Sequence, residues 1–235
     1  QLAKHLNKAK DYEFFMKRSA YYRNLHHPET KFFQPKNSKG EWILPFDPYK
    51  YGANGGYPFT EGNGWQYYWY VPQNIPDLIE LTGGEDAFCN EPSHHVAYLY
   101  AMAGQPAKTQ QLVEHIKRTL YNTSSSGYAG NDDCGEMSAW YVFSALGFYP
   151  VNPASGEYVI GSPTVDHAEI MLPGGKKFTI VVKRKGGAGA AYVKSVKLNG
   201  HKLDGYVLKH ADIMKGGTLE FEMVARPKGK VLNLR

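Results

Sequence analysis

The feature that most constrains this chain is a change of hydrophobic period near Pro153. Before it, side chains recur with helical spacing: Phe14, Phe15, Arg18 and Tyr22 in one run, Leu112, Ile116 and Leu120 in another, Met137, Trp140, Tyr141 and Ser144 in a third. After it come short β-prone runs at 157–160, 169–172, 178–182, 193–198 and 218–223, several alternating apolar with polar and separated by Gly or Pro turns. A period of 3.6 cannot be laid along a strand, nor a period of 2 along a helix, so the two parts must fold differently. The expected class is α+β. Residues 1–155 read as helices joined by polar loops, the mark of a bundle, repeat or toroid. Residues 156–235 read as a small antiparallel β-sandwich-like unit, with Asn199-Gly200 as a hairpin turn.

Punctuation places the helices. They are expected over 2–22, over 61–81 with Thr60 as N-cap and Pro72 and Pro76 breaking the middle, and over 92–103, 106–121 and 137–148. Gly147 and Pro150 close the last of these. Between the first two, residues 24–57 are rich in Pro and Gly, which reads as loop. Phe32, Phe33, Trp42 and Phe46 argue against disorder there, so the segment is expected to be an ordered excursion carrying part of a site. The opening Gln1-Leu2-Ala3-Lys4-His5-Leu6 reads as the middle of a helix rather than a signal peptide, so a fragment or matured piece of something longer is expected.

Composition narrows the function classes. No run approaches the roughly twenty apolar residues of a membrane span. The net charge is +5, yet the basic residues are dispersed and no base-reading motif is present, which argues against nucleic acid as a partner. The 18 Tyr and 4 Trp suit either a sugar-binding cleft, where rings stack on pyranose faces, or a large helical core. Cys89 and Cys134 fit neither a disulfide scaffold nor a zinc ribbon, and a bridge between them is left open. Asn122-Thr123-Ser124 matches a glycosylation sequon, which matters only in a eukaryotic secretory route.

Three polar clusters fall at expected helix starts or in loops: Phe59 to Tyr67, Cys89 to His95, and Gly130 to Asp133. If the helices alternate in direction, one rim of the bundle gathers Glu61, Glu91, Asp132 and Asp133 with Trp65, His94 and His95. Carboxylates so gathered suit glycoside cleavage, in which a protonated acid meets the leaving oxygen and a carboxylate activates water. They equally suit a hard cation such as calcium. Glu61, flanked by Gly62, Gly64 and aromatics, has a partly apolar setting that favours the protonated acid. Asp132 and Asp133 precede a helix whose dipole favours the ionised form. One of them is expected to serve as an N-cap, leaving its neighbour for other work. Adjacent His94 and His95 on a helix point about 100° apart, which disfavours zinc; one histidine touching ligand and one packed inside is the expectation.

The blocks Phe59-Thr60-Glu61-Gly62-Asn63-Gly64-Trp65-Gln66-Tyr67, Asn90-Glu91-Pro92-Ser93-His94-His95, Gly104-Gln105-Pro106-Ala107-Lys108-Thr109-Gln110 and Gly130 to Pro150 resemble, in order, the signature blocks of glycoside hydrolase family 92. That resemblance implies a calcium-dependent exo-α-mannosidase that inverts the anomeric centre, built on an (α/α)6 toroid with accompanying β-structure. It further implies Glu61 as general acid, the general base within the Asp132-Asp133 pair with Asp133 favoured, and Asn90 and Glu91 near the calcium. Trp65, His94 and His95 would line the sugar subsite. The partners implied are a mannose-containing glycan and the N-terminal part of the same enzyme, a β-sandwich and the rest of the toroid, since the helices here number about half of twelve. Export from the cell is the family habit. The competing reading is a glycan-binding fragment that does not cleave.

Overall fold

Local punctuation shortens every long helical run. The structure, a computed structural model, describes residues 2–53, 57–81, 94–125, 127 and 132–227, and the chain divides into two compact units, Gln1–Ser93 and His94–Arg235. In the first unit, the helix expected over 2–22 is broken by Asn7, whose φ of 54° is left-handed, into α1 (Leu2–His5) and α2 (Ala9–Ser19). A 3₁₀ turn, Tyr21–Leu25, follows. The helix expected over 61–81 also divides. Asn63, not Thr60, caps α3 (Gly64–Tyr68), in a reciprocal box in which Asn63 accepts from the Gln66 N–H and Gln66 accepts from the Asn63 N–H. Pro72, which has no N–H to donate, keeps α4 (Ile75–Leu81) separate.

The 24–57 excursion is ordered, as its aromatics imply. Single bridges pair His26 with Phe33, Lys36 with Trp42 and Gly52 with Gly62. Phe32 packs edge-on to Trp65 at 4.8 Å and meets Tyr68 at 5.0 Å, gathering the excursion around α3. Asp77, buried in the first turn of α4, accepts from Tyr22 and from the Arg23 guanidinium, which ties the 3₁₀ turn to that helix.

In the second unit, α5 (Val96–Met102) is buried on nearly every side, and α6 (Pro106–Thr119) opens on proline as expected. α7 (Glu136–Leu146) stops at Gly147, whose φ of 98° permits the left-handed cap. Eight strands follow among the described residues: β1 (Phe148–Tyr149), β2 (Glu157–Ile160), β3 (His167–Met171), β4 (Lys177–Lys185), β5 (Tyr192–Leu198), β6 (His201–Lys202), β7 (Val207–Lys209) and β8 (Gly217–Val224), with α8 (His210–Ile213) before the last. They form a three-stranded sheet, β1-β2-β7, and a five-stranded sheet, β3-β4-β8-β5-β6. The expected antiparallel order holds at every pairing except β4 with β8, which is parallel from Phe178 opposite Gly217 to Lys185 opposite Val224. The physical reason is the connection. β5 to α8 intervene, a length of chain that can carry β8 back to the same starting end. Asn199 and Gly200 turn β5 into β6 with φ of 51° and 81°, the two positive values a type I′ hairpin requires.

Alternation divides the larger sheet. Phe178, Ile180, Leu219, Phe221 and Met223 face a core shared with Phe148, Ile160, Leu208 and Ile213, and Phe143 and Leu146 of α7 pack on it. Lys183, Lys185, Glu220 and Glu222 take the exposed face. A bulge between Val193 and Ser195 lets both Lys194 and Ser195 reach Glu222, at 3.1 and 3.2 Å. α6 is joined to the sheet by polar bonds. Buried Lys117 donates to the Ser162 carbonyl at 2.7 Å and to Thr164, and pairs with Glu114 at 3.0 Å. The Arg184 guanidinium donates to Pro163 O at 3.0 Å, Ala190 O at 2.9 Å and Asp166 at 2.9 Å. No described helix is long and apolar enough to cross a membrane.

Two outcomes are expected. Hydrogen bonds from Lys185 and Lys194 hold the Glu222 carboxyl down to about 2, from an ordinary value near 4.5. A depressed folded-state value contributes stability above the unfolded value and loses it as pH falls toward the folded one. Glu222→Gln is therefore expected to flatten the loss of denaturation midpoint between pH 4.5 and 2, and an unaltered slope would show that the lysines do not hold this carboxylate. Separately, a Cβ on Gly161 would lie 2.8 Å from Tyr98 Cε1, in a ring that is fully buried. Gly161→Ala should cost about 1–3 kcal/mol in equilibrium unfolding, as overpacking does.

Candidate active site

Among the described residues, Glu61 and the Asp132-Asp133 pair sit on turns with left-handed backbone. Glu61 has φ of 51°, a conformation costing about 1–3 kcal/mol for a side-chain-bearing residue unless its surroundings enforce it. They do. Gly52 and Gly62 exchange backbone bonds at 2.8 and 3.2 Å, and Tyr67 Oη donates to the Thr60 carbonyl at 2.7 Å. Gly64 lies so close to Pro48 that a Cβ would sit 3.0 Å from its Cα, which explains the glycine. Glu61 is exposed rather than set among apolar groups, because the nearby rings are drawn into other contacts. Phe59 packs on Tyr67 at 5.0 Å, while Trp65 joins Phe32, Tyr49 and Tyr68. The Trp65 indole N–H is buried with no acceptor among the described residues.

The second turn runs into α7. Cys134 and Gly135 are consecutively left-handed, at φ of 54° and 79°, and the Gly135 N–H donates to Asp132 O at 2.8 Å. Gly135 holds the cap position, yet the capping is done by Asp132: Oδ1 accepts the Ser138 N–H at 2.9 Å and Oδ2 the Ser138 hydroxyl at 2.6 Å. A carboxylate so bonded at a dipole-positive helix start is stabilised as the anion. Asp133 begins the one-turn 3₁₀ segment Asp133–Gly135, of which only the backbone is described at that residue. Cys134 is an exposed free thiol. Cys89, Asn90 and Glu91 lie outside the described residues.

His94 and His95 differ in environment. His95 is buried, and its carbonyl accepts the Tyr98 N–H at the start of α5. Both ring nitrogens of His94 are engaged, Nδ1 with Glu136 Oε1 at 2.9 Å and Nε2 with Met137 Sδ at 2.7 Å. Trp140, fully buried, donates from Nε1 to the His94 carbonyl at 2.7 Å and stacks on Tyr121 at 5.7 Å with ring planes 9° apart. Tyr121 Oη donates to Met137 O at 3.1 Å. Burial, aided by the Asp132 and Glu136 carboxylates, pushes its phenol up to about 12, so it stays a neutral donor.

Glu136, Trp140 and Tyr121 were not among the residues singled out by sequence. Trp140 reads there as one position of a helical stripe, Glu136 merely follows the motif glycine, and Tyr121 stands at a helix end with no signal of its own. Within the second unit the structure thus brings His94, Asp132 and these three together; within the first it sets Glu61 four residues from Trp65 on the capped turn.

The description "Glycosyl hydrolase family 92 catalytic domain" matches residues 1–90 and 88–225. The chain is 36% identical to the family GH92 α-mannosidase BT3965 of Bacteroides thetaiotaomicron, solved in complex with mannoimidazole, over 96% of this chain and 34% of that one, with a TM-score of 0.85. It is 32% identical to the family GH92 inverting mannosidase BT2199 of the same organism, over 96% of this chain and 35% of that one, again with a TM-score of 0.85. An uncharacterized secreted glycosidase of Arthroderma benhamiae is 27% identical over 253 residues, covering 91% of this chain and 32% of that protein. The chain therefore spans about a third of the length of these relatives. With matches over both of its units and the motif residues on braced turns, the chain belongs to glycosyl hydrolase family 92.

Proposed function

We propose that the polypeptide carrying this chain hydrolyses terminal α-mannosidic bonds in glycans by a single displacement that inverts the anomeric centre. The observation that carries this reading is the family match over both units, to relatives described as mannosidases. Glu61, on its braced turn, is the general acid that protonates the departing glycosidic oxygen. The base lies in the Asp132-Asp133 pair. Both oxygens of Asp132 already accept from Ser138, which favours Asp133 as the group that takes a proton from the attacking water. Trp65, His94 and His95 would line the sugar subsite, and His94, with both nitrogens engaged, would meet the sugar through its ring rather than through a free N–H.

Asn90 and Glu91 would hold calcium, since amide and carboxylate oxygens are the hard donors it takes. Calcium, when bound, would supply a hard cation that holds the mannose 2- and 3-hydroxyls. In this reading residues 1–155 belong to an (α/α)6 toroid and 156–235 to its β-unit. The remainder of the toroid and a β-sandwich come from the N-terminal part of the polypeptide. Export fits the secreted relative. The alternative reading is a glycan-binding fragment of such an enzyme that does not cleave.

In the full-length polypeptide, Glu61→Gln should lower turnover of an α-mannobiose about 10²–10⁴-fold with folding intact, and much less for an aryl mannoside whose leaving group needs no acid. Chelation should abolish activity and added calcium restore it. The first-formed mannose should be the β-anomer by NMR. Mannose binding without hydrolysis would select the second reading, and α-mannose as first product would exclude inversion.

A further inference from the structure

The bonds that brace the Glu61 turn hold two further side chains beside it. The bracing segment carries Tyr49 and Tyr51, which are 70% and 62% exposed. Gly52, next to Tyr51, exchanges main-chain bonds with Gly62, next to Glu61, at 2.8 and 3.2 Å, and the Glu61 N–H reaches the Ala53 carbonyl at 3.4 Å. Pro48, next to Tyr49, accepts the Gly64 N–H at 2.9 Å, and the Asp47 carboxylate fixes the Tyr49 N–H at 2.9 Å. Two residues bonded in this way stand about 5.5 Å apart between Cα atoms, so the Cα atoms of Tyr51 and Glu61 are no more than about 13 Å apart.

Most rings of this region turn inward. Phe32, Phe59, Trp65 and Tyr68 are taken up in contacts with one another and with Phe46 and Tyr67 around α3. Tyr49 leans on Trp65 at 6.2 Å, with ring planes 50° apart, and keeps most of its surface in water. The Tyr51 side chain has neither a ring contact nor a hydrogen bond among the described residues. Aromatic faces held in solvent beside a reacting group suit the apolar face of a pyranose ring. A general acid gives its proton to the departing oxygen, so whatever that oxygen remains attached to leaves along the turn that carries the acid. We propose that Tyr51 and Tyr49 form the platform for the leaving-group side of the substrate, and that the group they take is a further pyranose of the glycan. Tyr51, one residue from the bonded pair, meets the sugar attached to the departing oxygen, and Tyr49, backed by Trp65, widens the surface. The proposal rests on the mannosidase reading, in which Glu61 is the acid.

The test uses the full-length polypeptide and two substrates: the α-mannobiose that the wild type cleaves fastest, and α-mannosyl fluoride, whose leaving group has no ring. Tyr51→Ala and Tyr49→Ala should each lower kcat/KM on the mannobiose about tenfold, as loss of a ring contact does. On the fluoride the same variants should fall less than about threefold, which also shows that the turn and the fold are intact. Tyr51→Phe, which keeps the ring, should stay within about threefold of wild type on the mannobiose. Tyr70→Ala removes a ring of similar exposure, 68%, carried on the residues after α3, and should leave both substrates unaffected. Equal losses on the two substrates would make the tyrosines part of the brace and overturn the platform, and so would an undiminished rate on the mannobiose. A loss in Tyr51→Phe as large as in Tyr51→Ala would place the effect in the hydroxyl and overturn the stacking role. A wild type that cleaves neither substrate would instead sink the mannosidase reading, and the platform with it.

Discussion

The turn of Glu61 and the turn of Asp132 and Asp133 both carry backbone in the left-handed region, and much of the local architecture holds it there. A side-chain-bearing residue at positive φ returns to the common regions unless its neighbours forbid it. Around Glu61 the restraint comes from the Gly52–Gly62 exchange, from Tyr67 on the Thr60 carbonyl and from the Asn63–Gln66 box. Around Cys134 it comes from the Asp132 carbonyl below and the Asp132 carboxylate on Ser138 above. The glycines of these motifs are explained by close approach and by φ, and the carboxylates inherit a fixed backbone rather than a flexible loop.

α7 owes its place to two kinds of contact. Its outer end packs Phe143 and Leu146 on the sheet core, and its inner end is tied by side-chain hydrogen bonds to the entry of α5. The sheet is bonded in turn to α6 through Lys117, Gln110 and the carbonyls gathered by Arg184. A buried lysine is tolerated there because Glu114, Ser162 and Thr164 all receive it, even though burial pulls its pKa down.

The change of period near Pro153 was legible because it rests on side-chain alternation, which burial on one face enforces. The strands at 178–182 and 218–223 were readable for that reason. β1, β6 and β7, at two or three residues each, are too short to show any period, and parallel pairing of β4 with β8 leaves no local mark at all. Helix ends moved wherever a single residue overrode the pattern, as Asn7 and Pro72 did. In the candidate site, the Asp132 cap follows from sequence neighbours. The engagement of His94 by Glu136 spans 42 residues, and such contacts are set by the fold rather than by any motif.

The bulge in β5 shows how a surface contact is added without disturbing the interior. In an unbroken strand Lys194 and Ser195 would point to opposite sides; one extra residue lets both serve the same carboxylate while Val196 still turns inward. The alternation is undisturbed on either side of it: Val193 stays opposite Met223 and Val196 opposite Phe221, so the extra residue, Lys194, serves only the surface carboxylate and could be removed with the inward set still in register.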